Sequence, residues 1–203
     1  MLTLYGMPDS GNCYKPRLLL AKLGRPFRHV QVNSVSGETR TAAYLAKNPN
    51  GKVPLLELDD GRRLAESNAI LLHLSEGTRY LPTDAYQRAL VFQWLFFEQY
   101  SHEPYIAVRR ALLKYPARAD QATPDRMAHL LDAGHGALGV METQLRVSRF
   151  IAGDALTVAD IALFAYTQDA AFAGYEIARF PGVTAWLDRV RADEGHVPLD
   201  WLP

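Results

Sequence analysis

Short apolar runs alternate with helical repeats through the first part of the chain, and helical repeats alone fill the rest. Residues 2–7 are short, apolar and β-favouring, and predict a strand. A leucine-rich helical run over residues 17–23 stops at Gly24, a residue suited to the position just past a helix end. Pro16 fits only a first turn, so this helix is expected to begin near Asn12 or Cys13. Residues 27–32 read as a second strand, and residues 40–47 as a short helix ended by Asn48-Pro49-Asn50-Gly51. Residues 53–58 predict a third strand, Asp59-Asp60-Gly61 a hairpin turn, and Arg63–Ala65 a fourth strand. A helix over Ser67–Ser75 is stopped by Gly77. The order β-α-β-α-β-β-α describes a small α/β domain with a mixed sheet.

After Tyr80-Leu81-Pro82 the strand signals fade. Residues 86–113 predict a long helical stretch, bent near Pro104. Thr123-Pro124-Asp125 opens another helix, along which Met127, Leu131, Leu138, Met141 and Leu145 recur at helical spacing. Thr157-Val158-Ala159-Asp160 resembles a capping box with Asp in place of Glu. The helix it opens, through Ile161, Phe164, Ala165 and Phe172, is apolar nearly all round and is expected at the centre of a bundle. Residues 183–193 form a last amphipathic helix, and the domain boundary falls near residues 78–85.

Composition narrows the function. The 203 residues suffice for one large domain or two small ones, each with its own core. Twenty-two basic residues balance 22 acidic ones, so neither a nucleic acid nor an anionic membrane is expected as partner. The longest apolar run, residues 161–166, is far short of a membrane span, and no secretory signal is expected at the N-terminus. One cysteine, Cys13, cannot form an internal disulfide and fits a reducing compartment. A soluble, cytoplasmic protein is the expectation.

An α/β domain carrying "NPNGKVPLLELDDGRRLAESNAIL", followed by helices that include "GDALTVADIALF", resembles the glutathione transferase family. The N-terminal motif is similar to the serine-type, zeta-, theta- and beta-like pattern of bacterial members. The resemblance spans essentially the whole chain, and Val53-Pro54 and Glu66-Ser67 at their separation are its most specific parts. It implies a thioredoxin-like domain over residues 1–78 that holds glutathione. An all-α, helical-bundle domain over residues 86–203 is implied to contribute the acceptor-substrate pocket. It further implies glutathione as a substrate, no metal, and a homodimer.

Glutathione is a peptide with an amine, two carboxylates and a thiol. The Val53-Pro54 bond is expected to be cis, presenting the Val53 N–H and C=O to the cysteinyl unit as an added strand. The alternative is a proline that merely starts an edge strand. Ser67 and the helix start behind it can bind a carboxylate and Glu66 an ammonium, and the resemblance assigns this pair to the γ-glutamyl end. Ser67 also reads as an ordinary N-cap, and the two roles are compatible. Lys52 is a candidate for the glycyl carboxylate or a solvated surface lysine. Arg40 joins the glutathione-binding set through the family's basic residue thereabouts, although Thr39 lies at the nearest matching spacing.

The chemistry asks for a thiolate. A free thiol has a pKa of about 8.5, and lowering it by about two units requires roughly 2.7 kcal/mol of selective stabilisation. A hydroxyl or amide donor at a helix N-terminus can supply that. Ser10 falls on the serine of the zeta-like pattern and Asn12 on the cysteine of the beta-like one, so they rank first and second, with Cys13 third. Their bland alternatives are a turn residue, an N-cap and a small apolar side chain. Met7, Tyr105 and Arg109 are the acceptor-pocket candidates, against the alternative of a wet helix face with local ion pairs. His129 and His135 do not share a face, and no metal-binding motif occurs. The expected function is a glutathione transferase-like enzyme that conjugates glutathione to a small electrophile. The rivals are a glutathione-dependent disulfide reductase or peroxidase, and a non-catalytic interaction module on the same fold.

Overall fold

Burial on both faces puts the first strand in the middle of its sheet. Every residue of β1 (Leu2–Gly6) is buried, and the four-stranded order is β2-β1-β3-β4. β2 (Phe27–Gln31) runs parallel to β1, whereas β3 (Leu55–Glu57) and β4 (Arg63–Ala65) are antiparallel to their neighbours. Leu4 thus sits between His29 and Leu56. The computed structural model describes residues 1–203, in two compact units: Met1–Glu76 together with Glu194–Pro203, and Gly77–Asp193.

In the first unit, α1 (Gly11–Lys22) and α3 (Ser67–Ser75) pack on each other, with Leu18, Leu19, Leu20, Ile70 and Leu71 fully buried. α1 begins earlier than the proline suggests. Ser10 is its N-cap, so Pro16 lies in the second turn at the cost of one backbone bond. Gly24 ends it as expected: its φ of +60° lets its N–H reach the Ala21 carbonyl while the Arg25 N–H reaches Leu20, each at 3.0 Å. The expected second helix shrinks to α2 (Ala42–Leu45), because Thr41 caps at Tyr44 and a 3-10 turn, Glu38–Arg40, precedes it. β3 starts at Leu55, beyond Pro54, which has no N–H to give the ladder.

The last ten residues were expected within the helical domain, and they pack instead with the first unit. Their carbonyls accept hydrogen bonds from α1 side chains, and Trp201 sits with its ring centroid 6.2 Å from that of Phe27. Those partners lie far apart in sequence, out of reach of a local pattern.

The second unit is all-helical. α4 (Ala85–Phe97) passes through a π-helical turn, Glu98–His102, into α5 (Glu103–Lys114), so the bend expected near Pro104 is a change of winding just ahead of it. α6 is Pro124–Leu145, α7 Val158–Thr167 and α8 Pro181–Ala192. The capping box forms, and all of α7 is buried. α7 ends before Phe172, which lies in the turns beyond and is half exposed, a correction to its placement on the buried helix. Trp186 of α8 is fully buried and donates its indole N–H to Asp160 at 2.8 Å. No helix is long and apolar enough to cross a membrane.

Candidate functional site

The loop from β1 into α1 carries three adjacent polar candidates with three different fates. Ser10 is partly exposed, and its hydroxyl accepts the Cys13 N–H at 3.4 Å. A hydroxyl that accepts there keeps its own proton for a group above the loop. Asn12 lies in the first turn of α1, also partly exposed, and its side-chain oxygen accepts from the Ser67 hydroxyl at 3.3 Å. Cys13 is fully buried, with the Met7 N–H pointing at its sulfur, 3.3 Å away. Burial pushes its thiol above the ordinary value, and the opposing pull of Ser10, Met7 and Arg17 does not reverse this. A Cβ at Gly6 would lie 2.9 Å from that sulfur, so glycine there leaves room for Cys13 against the strand. Cys13 is therefore a packed side chain.

A second group lies between β3 and α2. The Val53-Pro54 peptide is cis. Sheet pairing of β3 begins at Leu55, which leaves the Val53 main chain past the end of the ladder, where an extended peptide can pair with it. The preceding loop is held from inside: buried Asn48 and the Tyr44 hydroxyl both donate to the Lys52 carbonyl at 2.8 Å. Burial pushes the Tyr44 hydroxyl up to about 12, so it stays a donor at any ordinary pH. The Lys52 side chain is exposed. Arg40 is exposed as well, and its guanidinium donates to the Asn50 carbonyl at 3.3 Å, bracing this loop, while Thr39 is buried.

The third group is the start of α3. Glu66 is the one non-glycine residue with positive φ, +69°, a backbone conformation that costs about 1–3 kcal/mol and clusters at binding sites. Glu66 takes the N-cap position without a side-chain cap bond, and Ser67 is the first helical residue. The ordinary serine cap is thus not what Ser67 forms. Its buried hydroxyl turns toward α1, donating to Asn12 and accepting from the Lys15 ammonium at 3.3 Å. Lys15, fully buried, also donates to Asn68 at 3.4 Å. The uncapped first turn of α3, with a cation behind it, can accept a carboxylate. Lys15 was not among the expected site residues. The available signal was a lysine within a leucine-rich helix, one turn from Asn12 on the same face.

The acceptor candidates are divided between the units. In the first, Met7 is buried and its sulfur accepts from the Ser34 hydroxyl at 3.0 Å. In the second, Tyr105 meets His129 edge-to-face at 6.0 Å between ring centroids. Arg109 donates to the Ala173 carbonyl at 2.6 Å and to the Met127 carbonyl, bonds that hold it within the helical unit. No cluster of three His, Cys, Asp or Glu side chains is placed to hold a metal ion.

A mixed sheet with a cis-proline loop, a left-handed residue ahead of α3 and a capped α1 makes a thioredoxin-like unit, and an all-helical unit follows it in the chain. Residues 4–78 match the model of the glutathione S-transferase N-terminal domain, and residues 124–189 match that of the C-terminal domain. The chain belongs to the glutathione S-transferase family. It is similar to a glutathione S-transferase structure from Pseudomonas fluorescens, with 46% identity, 98% of each chain covered and a TM-score of 0.94. A second structure from that organism, a glutathione transferase family member with two glutathione bound, is 25% identical at a TM-score of 0.82, covering 96% of this chain and 89% of that one. Among curated relatives, glutathione S-transferase F10 of Arabidopsis thaliana is 31% identical over 181 residues, 83% of this chain and 80% of the relative.

Proposed function

We propose that the protein binds glutathione in its first unit, stabilises the thiolate and conjugates it to a small electrophile. The observation that carries this reading is the hydroxyl of Ser67, which bonds to both Asn12 and Lys15 and so joins the start of α3 to the start of α1. A ligand with a carboxylate at one end and a thiol further along would meet both helix starts at once.

In this reading Val53 pairs with the cysteinyl unit, with Pro54 setting the turn of the loop, and Glu66 meets the ammonium. Ser67, the first turn of α3 and Lys15 receive the γ-glutamyl carboxylate, a charge-assisted contact. Lys52, with Arg40 nearby, serves the glycyl end. Ser10 donates its proton to the sulfur and Asn12 supports it. One hydrogen bond to a charged group is worth about 1.5–3 kcal/mol, which covers the roughly 2.7 kcal/mol that a shift of about two units requires. Tyr105 and Arg109 in the helical unit, and Met7 in the first unit, are the candidates for contacting the acceptor. A homodimer in the cytoplasm completes the reading, consistent with a single buried cysteine. A monomeric mass at micromolar concentration would remove the dimer.

Thiolate absorbance of bound glutathione against pH, with Ser10→Ala and Asn12→Ala in parallel, tests the mechanism. A depressed thiol pKa that Ser10→Ala raises toward the free value supports it. Dominance of Asn12 would favour disulfide reduction or peroxide chemistry. Absence of saturable binding leaves a non-catalytic module.

A further inference from the structure

Arg17 is fully buried. Its guanidinium is shared among main-chain carbonyls. It donates to Met7 at 3.3 Å and to Pro8 at 2.5 Å, both in the β1–α1 loop, and to Leu199 at 2.6 Å in the C-terminal segment. The Met7 carbonyl also accepts the Ser10 N–H at 3.4 Å, so one oxygen separates the guanidinium from the Ser10 backbone. Burial lowers the Arg17 pKa, while Cys13 and Tyr14 on α1, and then Asp9 and Asp200, favour its charged form.

The C-terminal segment is held to α1 at further points. The Tyr14 hydroxyl donates to the Val197 carbonyl at 2.7 Å, and the Lys22 ammonium to that of Glu194 at 3.1 Å. Gly195, with φ +73°, crosses so close that a Cβ there would lie 2.7 Å from the Lys22 Cα. Trp201 closes the segment against Phe27.

We propose that residues 194–203 act as a strap that sets the position of Ser10 through Arg17, which makes Arg17 a positioning residue for thiol activation. The Ser10 part rests on the function proposed above, whereas the mechanical link does not. Three carbonyls from two segments share one planar donor, so loosening the strap frees the guanidinium to shift and the Met7 carbonyl with it. The N-cap geometry of α1 then loses its anchor.

The test uses the full chain with Trp201→Ala, which loosens the strap without altering Arg17 or the loop, and with Arg17→Met and the double variant. The first readout is amide hydrogen exchange in the ligand-free protein. Trp201→Ala is expected to speed exchange at Ser10, Cys13 and Tyr14 by about tenfold, with Leu4 and Leu56 in the sheet unchanged. Unchanged exchange at those three amides overturns the link. The second readout is the pH midpoint of bound glutathione's thiol, expected to rise in Trp201→Ala and in Arg17→Met, and to rise no further in the double variant. Fully additive rises, or faster exchange with an unmoved midpoint, overturn the positioning role. A parent protein that leaves the thiol pKa at its free value overturns the proposed function and, with it, the positioning role. Hydrogen exchange then still decides the mechanical link.

Discussion

Two helix starts in this chain use the same capping chemistry and end with opposite accessibility. At α7 the Thr157 hydroxyl accepts the Ala159 N–H, and Asp160 accepts the N–H groups of Thr157 and Ile151 and the indole N–H of Trp186, each of those three at 2.8 Å. Thr157 and Asp160 are both buried, so every acceptor there is spent on the protein itself. At α1 the Ser10 hydroxyl accepts one N–H at 3.4 Å and stays partly exposed. The start of α3 goes further, with no side-chain cap at all. A saturated, buried cap stabilises a fold, and an incomplete one at the surface retains donors for something that arrives later.

The largest expected effect breaks the closed member of the pair. Asp160→Ala strands three buried N–H donors and should cost roughly 3 kcal/mol in urea unfolding. A loss well under 1 kcal/mol would mean the closed cap is ornamental. Next, Ser10→Ala should raise the bound thiol's pKa by about one to two units, worth roughly 1.4–2.7 kcal/mol. Its cost in stability should be only about 1 kcal/mol for the lost cap. Equal effects on both measurements would erase the contrast between the two helix starts. Lys15→Met should weaken glutathione binding about tenfold, with the thiol midpoint in place, separating the carboxylate end from the sulfur end. Calorimetric titration reads that split.

Smaller effects sharpen the picture. Glu66→Gly relieves the left-handed backbone and should gain roughly 0.5–1 kcal/mol of stability while weakening glutathione binding, an opposition that marks a strained functional position. Last, burial raises the Cys13 thiol, so less thiolate forms at neutral pH and a neutral alkylating reagent should leave it unmodified until the protein unfolds. Labelling of the folded protein at the rate of free cysteine would return Cys13 to the list of reactive candidates.

What the sequence makes legible is local chemistry. Arg63–Ala65 and Ser67–Ser75 are bounded by turn and stop residues next to them, and the structure keeps both ranges. Gly24 and the Thr157 box likewise carry their instructions within a few residues. The family likeness came from motifs of the same kind. For Lys15 and Arg17 a cation on a leucine-rich helix is a signal without a direction, because the partners that explain the burial, Asn68 and Leu199, lie far along the chain. The π-helical turn at Glu98–His102 was hidden for another reason. Its five residues keep helical spacing in the sequence, and the altered winding shows only in the backbone.

The double hold on the Lys52 carbonyl has a consequence in time as well as in energy. Asn48 and Tyr44 keep the loop ahead of Val53 in shape from beneath, with no help from a ligand. A peptide that lands on this edge finds its template already set, so little loop entropy is subtracted from the contacts it makes. Association can then run at the pace of diffusion and docking, with no slow folding of the loop to wait for.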